Sequence, residues 1–390
     1  MTTFDHLAPA FGDDPHPTLA RLREQEPVAW SEEHGGFWVV TGYEDVLRVA
    51  QDWETYSSAS GVSVPAPATV PNAIPECVDP PRHRQFKRLI NAWFTPAVVA
   101  RSEDATRALV TELIDAFVDE GACELMDAFA RPLPGLTFFD QVLHAPGDAV
   151  GPLAELAARA STPTHPERPQ AWAGLAAWID AFVAERRAAP PRGDVVDAVL
   201  AAEIDGAPIT DHDVVGVIQL LILGGLETTA GALGQMAVRF CREPAIPALL
   251  RERPDLIPAA VEELLRLDPP FVAIARLVTK DTELGGHQLR AGQRVLISWA
   301  SANRDAGEFG CPDAFDLART SNRHLSFGAG PHRCAGSNLA RMNLRIAVEE
   351  LVVRLPDLRL ADEAAPIRYH AALNRSPLAV PVEFTPGGAR

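Results

Sequence analysis

Basic side chains are scarce in this sequence of 390 residues. Lys and Arg together number 35 against 52 Asp and Glu, which gives a formal net charge of −17 at pH 7. A surface with such an excess of negative charge repels the phosphates of DNA and RNA and the headgroups of anionic lipids. The composition therefore argues against nucleic-acid partners and against docking on an anionic membrane.

The sequence also lacks a long hydrophobic run. The longest apolar stretch covers residues 214–226, is interrupted by Gln219, and is shorter than the roughly 20 residues that a membrane-spanning helix needs. The first 20 residues contain three aspartates and no apolar segment, unlike a secretory signal peptide. We therefore expect a soluble cytoplasmic protein, and we expect it to be monomeric.

Cysteines are few and isolated. There are five, an odd number, and no CxxC pair occurs, which argues against a disulfide framework or a structural zinc site. We expect four of them to behave as small buried hydrophobic residues, with Cys334 as the exception because of its neighbours. No linker-like tract, internal repeat or low-complexity block divides the chain, so we predict one domain over residues 1–390.

Helical periodicity dominates, and the fold class that it predicts is mainly α with a small β region. Predicted helices cover residues 15–25, 43–51, 84–93, 100–119, 147–160, 170–187, 210–240, 245–267 and 335–355, and predicted strands cover 36–41, 273–277, 282–284, 295–299 and 380–384. Thr210 followed by Asp213 indicates a capped helix start. Residues 58–75 and 161–170 are polar or rich in proline and are predicted loops.

Residues 327–336 read FGAGPHRCAG and surround Cys334. Gly328 and Gly330 permit a tight turn that larger residues would not. Cys334 then lies at the start of a predicted helix, where free backbone N–H groups and the positive helix end favour thiolate over thiol. An anionic sulfur in a rigid loop suits a metal ligand. For a cysteine taken alone, a buried structural role is the stronger interpretation.

The ten-residue pattern is not that of a lone cysteine, because it resembles the haem-binding loop of the cytochrome P450 family without a gap. In that family a Cys thiolate ligates haem iron. The resemblance implies that Cys334 is the axial ligand of haem b, that Phe327 packs beside it, and that His332 hydrogen-bonds a haem propionate. It also implies a single triangular helical domain and the activity of a soluble bacterial haem-thiolate monooxygenase.

Residues 220–229 read LLILGGLETT and place two glycines inside a predicted helix. Each costs about 1 kcal/mol relative to Ala, which close helix packing or approach to a flat cofactor would offset. A Thr here can hydrogen-bond back into its own helix and bend it. The segment resembles the P450 oxygen-binding helix. By that resemblance Glu227 and Thr228 deliver protons during oxygen activation, while Gly224 and Gly225 leave room for oxygen and substrate.

Two further segments resemble P450 positions that bind the haem propionates, which as anions need cations or hydrogen-bond donors. Residues 79–88 read DPPRHRQFKR, in which His83 matches and Lys87 replaces the usual Arg, so that charge is kept and bidentate geometry is lost. Arg276 matches another propionate ligand. The alternative for each residue is a solvated surface cation.

A third pattern implies a structural role. Glu263 and Arg266 in EELLR lie three residues apart on one helix face. An exposed ion pair there would contribute little stability. In the P450 family the corresponding pair joins a buried network with a later Arg, for which FDLAR supplies Arg319.

The substrate pocket implied by the resemblance is apolar. Its predicted lining consists of Leu223, Gly224, Phe271, Val272, Ala273, Ile274 and Leu373, with Ala372 beside it and the two predicted loops around it. Core packing is an equally good explanation for each apolar residue alone. The lining predicts an apolar organic substrate, such as a terpenoid, an aromatic compound or a polyketide, together with O2.

The scarce basic residues cluster near the haem-binding motifs. They are Arg82, Arg84, Lys87, Arg88, Arg323, Arg333, Arg341 and Arg345. This cluster predicts docking of an acidic ferredoxin-type electron donor, served by a ferredoxin reductase, since no flavin or iron–sulfur segment is visible in the sequence. Two alternatives are a peroxide-driven haem peroxygenase, against which the Glu–Thr pair argues, and a non-catalytic haem-based sensor.

Overall fold

Helices make up about 51% of the chain. The structure is a computed structural model, and it describes residues 4–162, 165–370 and 373–387. The α-helices are α1 Pro9–Asp13, α2 His16–Gln25, α3 Tyr43–Gln51, α4 Arg82–Asn91, α5 Pro96–Val99, α6 Glu103–Asp115, α7 Pro132–Phe138, α8 Val150–Ser161, α9 Arg168–Ala188, α10 Val195–Leu200, α11 Asp211–Leu226, α12 Thr228–Arg242, α13 Ala245–Glu252, α14 Ile257–Leu267, α15 Trp299–Ala302 and α16 Ser337–Arg354.

Short strands form the minor part of the fold. They are β1 Val28–Ser31, β2 Phe37–Val40, β3 Tyr56–Ser57, β4 Ala122–Glu124, β5 Glu203–Ile204, β6 Ala207–Pro208, β7 Ala273–Val278, β8 Thr282–Leu284, β9 His287–Leu289, β10 Arg294–Ser298, β11 Arg359–Leu360 and β12 Pro381–Glu383. Five of them make a mixed sheet in the order β1-β2-β10-β7-β3, and β11-β12-β4 make a second sheet. The prediction of a mainly α protein with a small β region is confirmed.

The long predicted helix over 210–240 is two helices in line, α11 and α12, with an interruption at Glu227. Thr210 caps α11, because its side chain accepts a hydrogen bond of 3.2 Å from the Asp213 backbone N–H. By length and composition alone the stretch Asp211–Arg242 could cross a membrane, but 61% of its most apolar window is buried inside the protein. It therefore packs as a core helix.

The largest hydrophobic core cluster surrounds this central helix pair. Side chains from α9, α14 and α16 pack into it, and representative buried members are Leu175, Ile218, Leu264 and Ile346. Two smaller clusters lie on the sheet side of the molecule. One contains Tyr43 and Ile297, and the other joins the N-terminal segment to β2 and β7. The central helix pair thus lies inside the helical part of the core, and the mixed sheet has its own smaller clusters.

Two predictions were wrong in detail, one of secondary structure and one of burial. The predicted helix over 245–267 is divided into α13 and α14 by a 3-10 turn at Pro254–Leu256, since proline lacks the N–H that would continue the helix. The predicted strand at 380–384 is present as β12, which lies at the centre of the sheet β11-β12-β4. Cys311, expected to be buried, is exposed and has a left-handed backbone φ of 46°.

A buried ion-pair network fastens α14 to the loop before the Cys334 segment. Arg266 is fully buried, and its guanidinium donates to both carboxylate oxygens of Glu263 at 2.7 and 2.8 Å. Arg266 also donates to the carbonyl oxygens of Asn303, Pro312 and Ala314. Arg319 lies 3.4 Å from the Glu263 carboxylate, so the three residues that the sequence grouped are in contact.

The environment of Glu263 predicts a large effect on stability. Burial alone would raise the pKa of Glu263, but the hydrogen bonds and charge of Arg266 outweigh it and hold the pKa below its usual value. Glu263→Gln leaves Arg266 buried without its anion, and we expect the free energy of unfolding to fall by about 3 to 5 kcal/mol. Urea unfolding measures this change. Asp255→Asn, at an exposed ion pair with Arg253, is the matched control and should change stability little.

Candidate active site

The segment before α16 is a rigid loop built on two left-handed glycines, Gly328 and Gly330, with φ of 69° and 67°. A Cβ atom at Gly330 would lie 2.4 Å from the carbonyl oxygen of Ala50, so the loop approaches α3 closely enough to exclude any side chain there. The Cys334 backbone N–H donates to the Phe327 carbonyl at 2.8 Å and closes the turn. Cys334 is therefore held in one position three residues before α16 begins.

The electrostatic environment of Cys334 differs from the sequence-based expectation. The residue keeps exposed surface, yet the surrounding protein desolvates the sulfur and raises the pKa of the thiol. The Gly336 backbone N–H and the cations of Lys87 and Arg333 act in the opposite direction without overcoming burial. The Gly336 backbone N–H thus favours the thiolate as the sequence predicted, but burial has the larger effect on the pKa of the thiol. A bound metal ion deprotonates a coordinating thiol outright.

Phe327 lies at the other end of the same turn. The Arg341 guanidinium stacks over its ring at 4.3 Å from the centroid, and Arg341 also pairs with Glu262 at 2.7 Å. His324 contacts the same Glu262 carboxylate at 3.1 Å. These contacts connect the cysteine loop to α14 and α16, so the aromatic ring beside the turn is fixed from both sides.

A polar cluster brings together the histidines that the sequence assigned to the propionates. The rings of His83 and His332 lie 4.3 Å apart between centroids, and His332 Nε2 is 3.0 Å from Ser58 Oγ. Burial lowers the pKa of His83 to about 4 and that of His332 to about 2, with the nearby charges of Lys87 and Arg276 acting in the same direction. Both rings are therefore neutral near pH 7 in the absence of an anion.

Ser58 and Asp79 in this cluster were not singled out from the sequence. Asp79 accepts hydrogen bonds from the Ser58 backbone N–H at 3.1 Å and from its hydroxyl at 3.2 Å, and the Ser57 hydroxyl contacts the same carboxylate. Asp79 lies within the DPPRHRQFKR segment, which was the only available signal. Its hydrogen bonds hold the start of the 58–75 loop beside His332.

Arg276 is buried on β7, with an exposed fraction of 2%. The only hydrogen bond of its side chain within the described residues goes from Nη1 to the Ala275 carbonyl at 2.8 Å, and no ion pair to a carboxylate is formed there. Burial lowers the pKa of this guanidinium to about 10, and Glu76 and Asp79 compensate the charge only at a distance. A buried guanidinium that has no carboxylate in contact requires an anion to stabilise its charge.

Lys87 reaches the cysteine loop rather than a carboxylate. Its Nζ donates to the carbonyl oxygen of Arg333 at 2.6 Å, one residue before Cys334. Burial lowers the pKa of Lys87, and the sulfur of Cys334 partly offsets this effect. The structure thus brings Lys87 to the backbone of the loop that carries the sulfur.

The central helix is bent where the sequence places its acid–alcohol pair. Thr228 Oγ1 donates to the Gly224 carbonyl at 3.3 Å, which is the hydrogen bond back into the helix that the sequence predicted. The two glycines have different environments, however. Among the described residues, a Cβ at Gly224 would meet no atom within 4 Å, whereas one at Gly225 would lie 2.7 Å from the Phe138 ring. Of the two glycines, only Gly224 borders open space. Gly225 serves helix packing, so the prediction that it leaves room for oxygen and substrate was wrong.

Glu227 is held by a residue that sequence analysis missed. Asn374 Nδ2 donates to a Glu227 carboxylate oxygen at 3.1 Å, and Asn374 itself forms a β-bridge with Phe271. The partner lies 147 positions away in an irregular segment, so no local pattern pointed to it. The contact fixes the carboxylate beside the bend of the helix.

Burial separates the predicted pocket residues into two groups. Leu223, Gly224 and Phe271 retain accessible surface, as does Leu373. The other three, Val272, Ala273 and Ile274, have exposed fractions of 3%, 2% and 9% and pack into the two sheet-side core clusters. Their burial assigns them to the core instead of an open pocket wall. Ala372 lies outside the described residues.

The residues present fit haem b. Both ring nitrogens of His83 are buried and find no hydrogen-bond partner among the described residues, and Arg276 is a buried cation without an ion pair. Anionic propionates supply the acceptors and the charge that these groups lack. Cys334, in the same loop as His332, offers a restrained sulfur ligand. A cysteine sulfur is the donor that haem-thiolate proteins use.

Comparison with known proteins agrees with this fit. The family model described as Cytochrome P450 matches residues 144–356. The Nocardicin C N-oxygenase of Nocardia uniformis subsp. tsuyamanensis is 35% identical over 98% of this chain and 100% of the relative. The chain belongs to the cytochrome P450 family.

One further relative and one solved structure are similar to this P450 over nearly its whole length. The Erythromycin C-12 hydroxylase of Saccharopolyspora erythraea is 34% identical over 95% of this chain and 94% of the relative. The crystal structure of a post-tailoring hydroxylase involved in himastatin biosynthesis is 31% identical, with a TM-score of 0.85, and covers 99% of this chain and 100% of its own. The P450 fold predicted from the sequence is confirmed.

This P450 is a haem-thiolate monooxygenase with haem b as its cofactor, acting on an organic substrate with O2. When bound, the haem supplies the activation of dioxygen, and the protein supplies binding, orientation and protons.

Proposed function

We propose that this P450 hydroxylates an unactivated C–H bond of an apolar organic substrate, with electrons that pass from NAD(P)H through separate redox proteins. The observation that carries the proposal is the bent helix at Thr228. There, open space beside Gly224 adjoins a hydroxyl and a carboxylate that are held in place by hydrogen bonds. Apolar side chains at Leu223 and Phe271 border the same region and favour an apolar substrate.

Each site residue has a proposed role in this reaction. Cys334 holds the haem iron and Phe327 packs beside the sulfur. Arg276, His83 and His332 bind the propionates, and Lys87 supports them by fixing the cysteine loop.

Glu227 and Thr228 hold and pass protons, with Asn374 as a positioning residue for the Glu227 carboxylate. The network of Glu263, Arg266 and Arg319 maintains the fold near the loop.

Direct assay of product tests the proposal. The holoenzyme, a ferredoxin, its reductase and NADH are incubated with candidate terpenoids, aromatic compounds and polyketides. We expect NADH consumption to be matched by a product heavier than its substrate by one oxygen atom. Hydrogen peroxide alone, without the redox proteins, is the control. Product formed equally well from peroxide would contradict the dependence on redox partners.

The ion pairs narrow the surface on which an electron donor would dock. Of the clustered basic residues, Arg82, Arg323, Arg341 and Arg345 are each paired with a carboxylate of this chain. Arg84, Arg88 and Arg333 are exposed and form no ion pair within the described residues. Arg84 and Arg88 share one face of α4, and Lys87 between them contacts the Arg333 carbonyl. We assign ferredoxin docking to these three arginines.

Charge reversal at two of these arginines has a predicted kinetic effect. In Arg84→Glu/Arg88→Glu we expect the KM for ferredoxin to rise by about tenfold at low salt, because repulsion replaces attraction of an acidic partner. Steady-state kinetics at several salt concentrations measures the change, and the difference should shrink as salt screens the charges. Arg21→Glu, at an exposed arginine of α2, is the control. An equal rise in KM for the control would contradict the assignment.

The remaining proposals concern the protein as a whole. We propose that residues 1–390 form one catalytic domain that works as a cytoplasmic monomer. The negative net charge and the burial of the apolar central helix support this placement. Size-exclusion chromatography with light scattering tests the oligomeric state.

A further inference from the structure

A cluster of potential metal ligands lies on the sheet side of the molecule, apart from the residues assigned to the haem. Asp5, His6 and His34 each place one ligating atom within 4.8 Å of the others. Asp5 and His6 belong to the N-terminal segment, and His34 lies at the tip of the β1–β2 hairpin. Two imidazoles and a carboxylate are a ligand set typical of Zn2+ sites.

His6 has the hydrogen bonding of a metal-binding histidine. Its Nε2 lies 2.9 Å from the carbonyl oxygen of Val64, which can only accept, so this nitrogen carries the proton. The other nitrogen, Nδ1, keeps its lone pair, is buried, and finds no hydrogen-bond partner among the described residues. His6 is 1% exposed and stands between the rings of Phe37 and His34. Metal-ligating histidines commonly donate their second N–H to a backbone carbonyl in this way.

His34 and Asp5 complete the cluster at its outer side. His34 Nε2 lies 2.7 Å from Asp5 Oδ1, and the same oxygen accepts from the Leu7 backbone N–H at 2.8 Å. His34 has a left-handed backbone with φ of 52°, a region that few residues other than glycine adopt and in which Asn, Asp and His are enriched. In this conformation the imidazole faces Asp5. The His34 side chain is 22% exposed, so a water molecule can complete the coordination.

We propose that Asp5, His6 and His34 bind one divalent transition-metal ion, for which Zn2+ is the best match, with water in the fourth position. Zn2+ with ligands at about 2.0 to 2.1 Å requires ligand atoms separated by roughly 3.3 Å. The cluster therefore contracts on binding, and the exposed hairpin tip provides the movement. The Asp5–His34 hydrogen bond lengthens as both groups turn towards the ion.

The site joins three segments that are distant in sequence. The ion fastens the N-terminal segment to the β1–β2 hairpin, and the His6–Val64 hydrogen bond extends the link to the 58–75 loop. The same loop is held further along by Arg294, which donates to the carbonyl oxygens of Gly61 and Ser63 at 2.9 and 3.0 Å. Since Ser58 of this loop contacts His332, the ion stabilises a segment that leads to the haem site.

The experiment is Zn2+ titration of the EDTA-treated, dialysed holoenzyme by calorimetry. We expect one ion per chain and an increase in the melting temperature, because a ligand that binds only the folded state stabilises it. In His34→Asn and Asp5→Asn we expect affinity to fall by at least about tenfold. Asn tolerates the left-handed backbone of residue 34, so loss of binding reports on the imidazole. The carbon monoxide spectrum of each variant verifies that it is folded.

His144→Asn is the matched control. His144 also has a left-handed backbone, with φ of 48°, and also pairs with an aspartate, Asp194, at 3.2 Å, but it has no third ligand in such a cluster within the described residues. We expect this variant to bind Zn2+ as the parent does. An equal loss of affinity in the control, or no stoichiometric binding by the parent, would overturn the site.

Discussion

Cys334→Ser should abolish the thiolate-type Soret shift that the reduced protein shows with carbon monoxide, and it should remove monooxygenase activity. Cys334 is the cysteine of the FGAGPHRCAG loop, and its backbone is restrained by the Phe327 carbonyl and by two left-handed glycines. A serine hydroxyl is a weaker and less polarisable donor than a thiolate, so the electronic push that favours O–O cleavage is lost. Absorption spectroscopy of the reduced carbon monoxide complex measures the first effect, and product assay measures the second.

Cys311→Ser is the control for this experiment. Cys311 is, like Cys334, an exposed cysteine, and it lies in a left-handed turn away from the glycine loop. We expect the Cys311 variant to retain the shift and the activity. Retention of the thiolate spectrum in Cys334→Ser would show that another sulfur ligates the iron.

Thr228→Ala should uncouple oxygen consumption from substrate oxidation. Thr228 Oγ1 bonds to the Gly224 carbonyl at the bend of the central helix, where its hydroxyl can relay protons into the open space beside Gly224. A positioned proton donor contributes a factor of about 10² to 10⁴ in rate. We expect product per NADH to fall by at least about tenfold, with peroxide or water formed instead. Parallel measurement of NADH, peroxide and product gives the ratio.

Two variants separate the hydroxyl from other effects of the substitution. Thr228→Ser keeps the donor and should keep most of the coupling. Thr229→Ala changes the neighbouring threonine, which is buried with an exposed fraction of 8%, and should lower stability more than coupling. Unchanged coupling in Thr228→Ala would exclude the hydroxyl from proton delivery, and the role would then rest on Glu227 alone.

The Glu227 carboxylate shows why part of the site was not predictable. The LETT sequence marks Glu227 and Thr228 because they are adjacent on one helix. Asn374, which holds the carboxylate, comes from a segment with no regular secondary structure and no recognisable pattern. The two glycines illustrate the same limit. They look alike in sequence, but Phe138 occupies the space beside Gly225, whereas no side chain in the described part of the chain occupies the space beside Gly224.

Strand alternation limited the prediction of the pocket. The residues of 271–274 are all apolar, so hydrophobicity gave no indication of which side chains face a cavity. In β7 successive side chains point to opposite faces of the sheet, where Ala273 and Ile274 pack into different core clusters. Phe271, before the strand begins, keeps accessible surface. Which side chains of β7 face each core cluster depends on the pairing of β7 with β10 and β3.

The sequence by itself determined the helical fold class, the haem and the type of reaction. These depend on residues close together in the chain, such as the glycines around Cys334 and the pair Glu227–Thr228, whose spacing is legible without coordinates. Tertiary structure alone decided which arginines remain unpaired, which residues surround the histidines, and that Asp5 and His6 meet His34. Such contacts join segments tens to hundreds of residues apart. They depend on how the helices and sheet pack, and no local pattern encodes them.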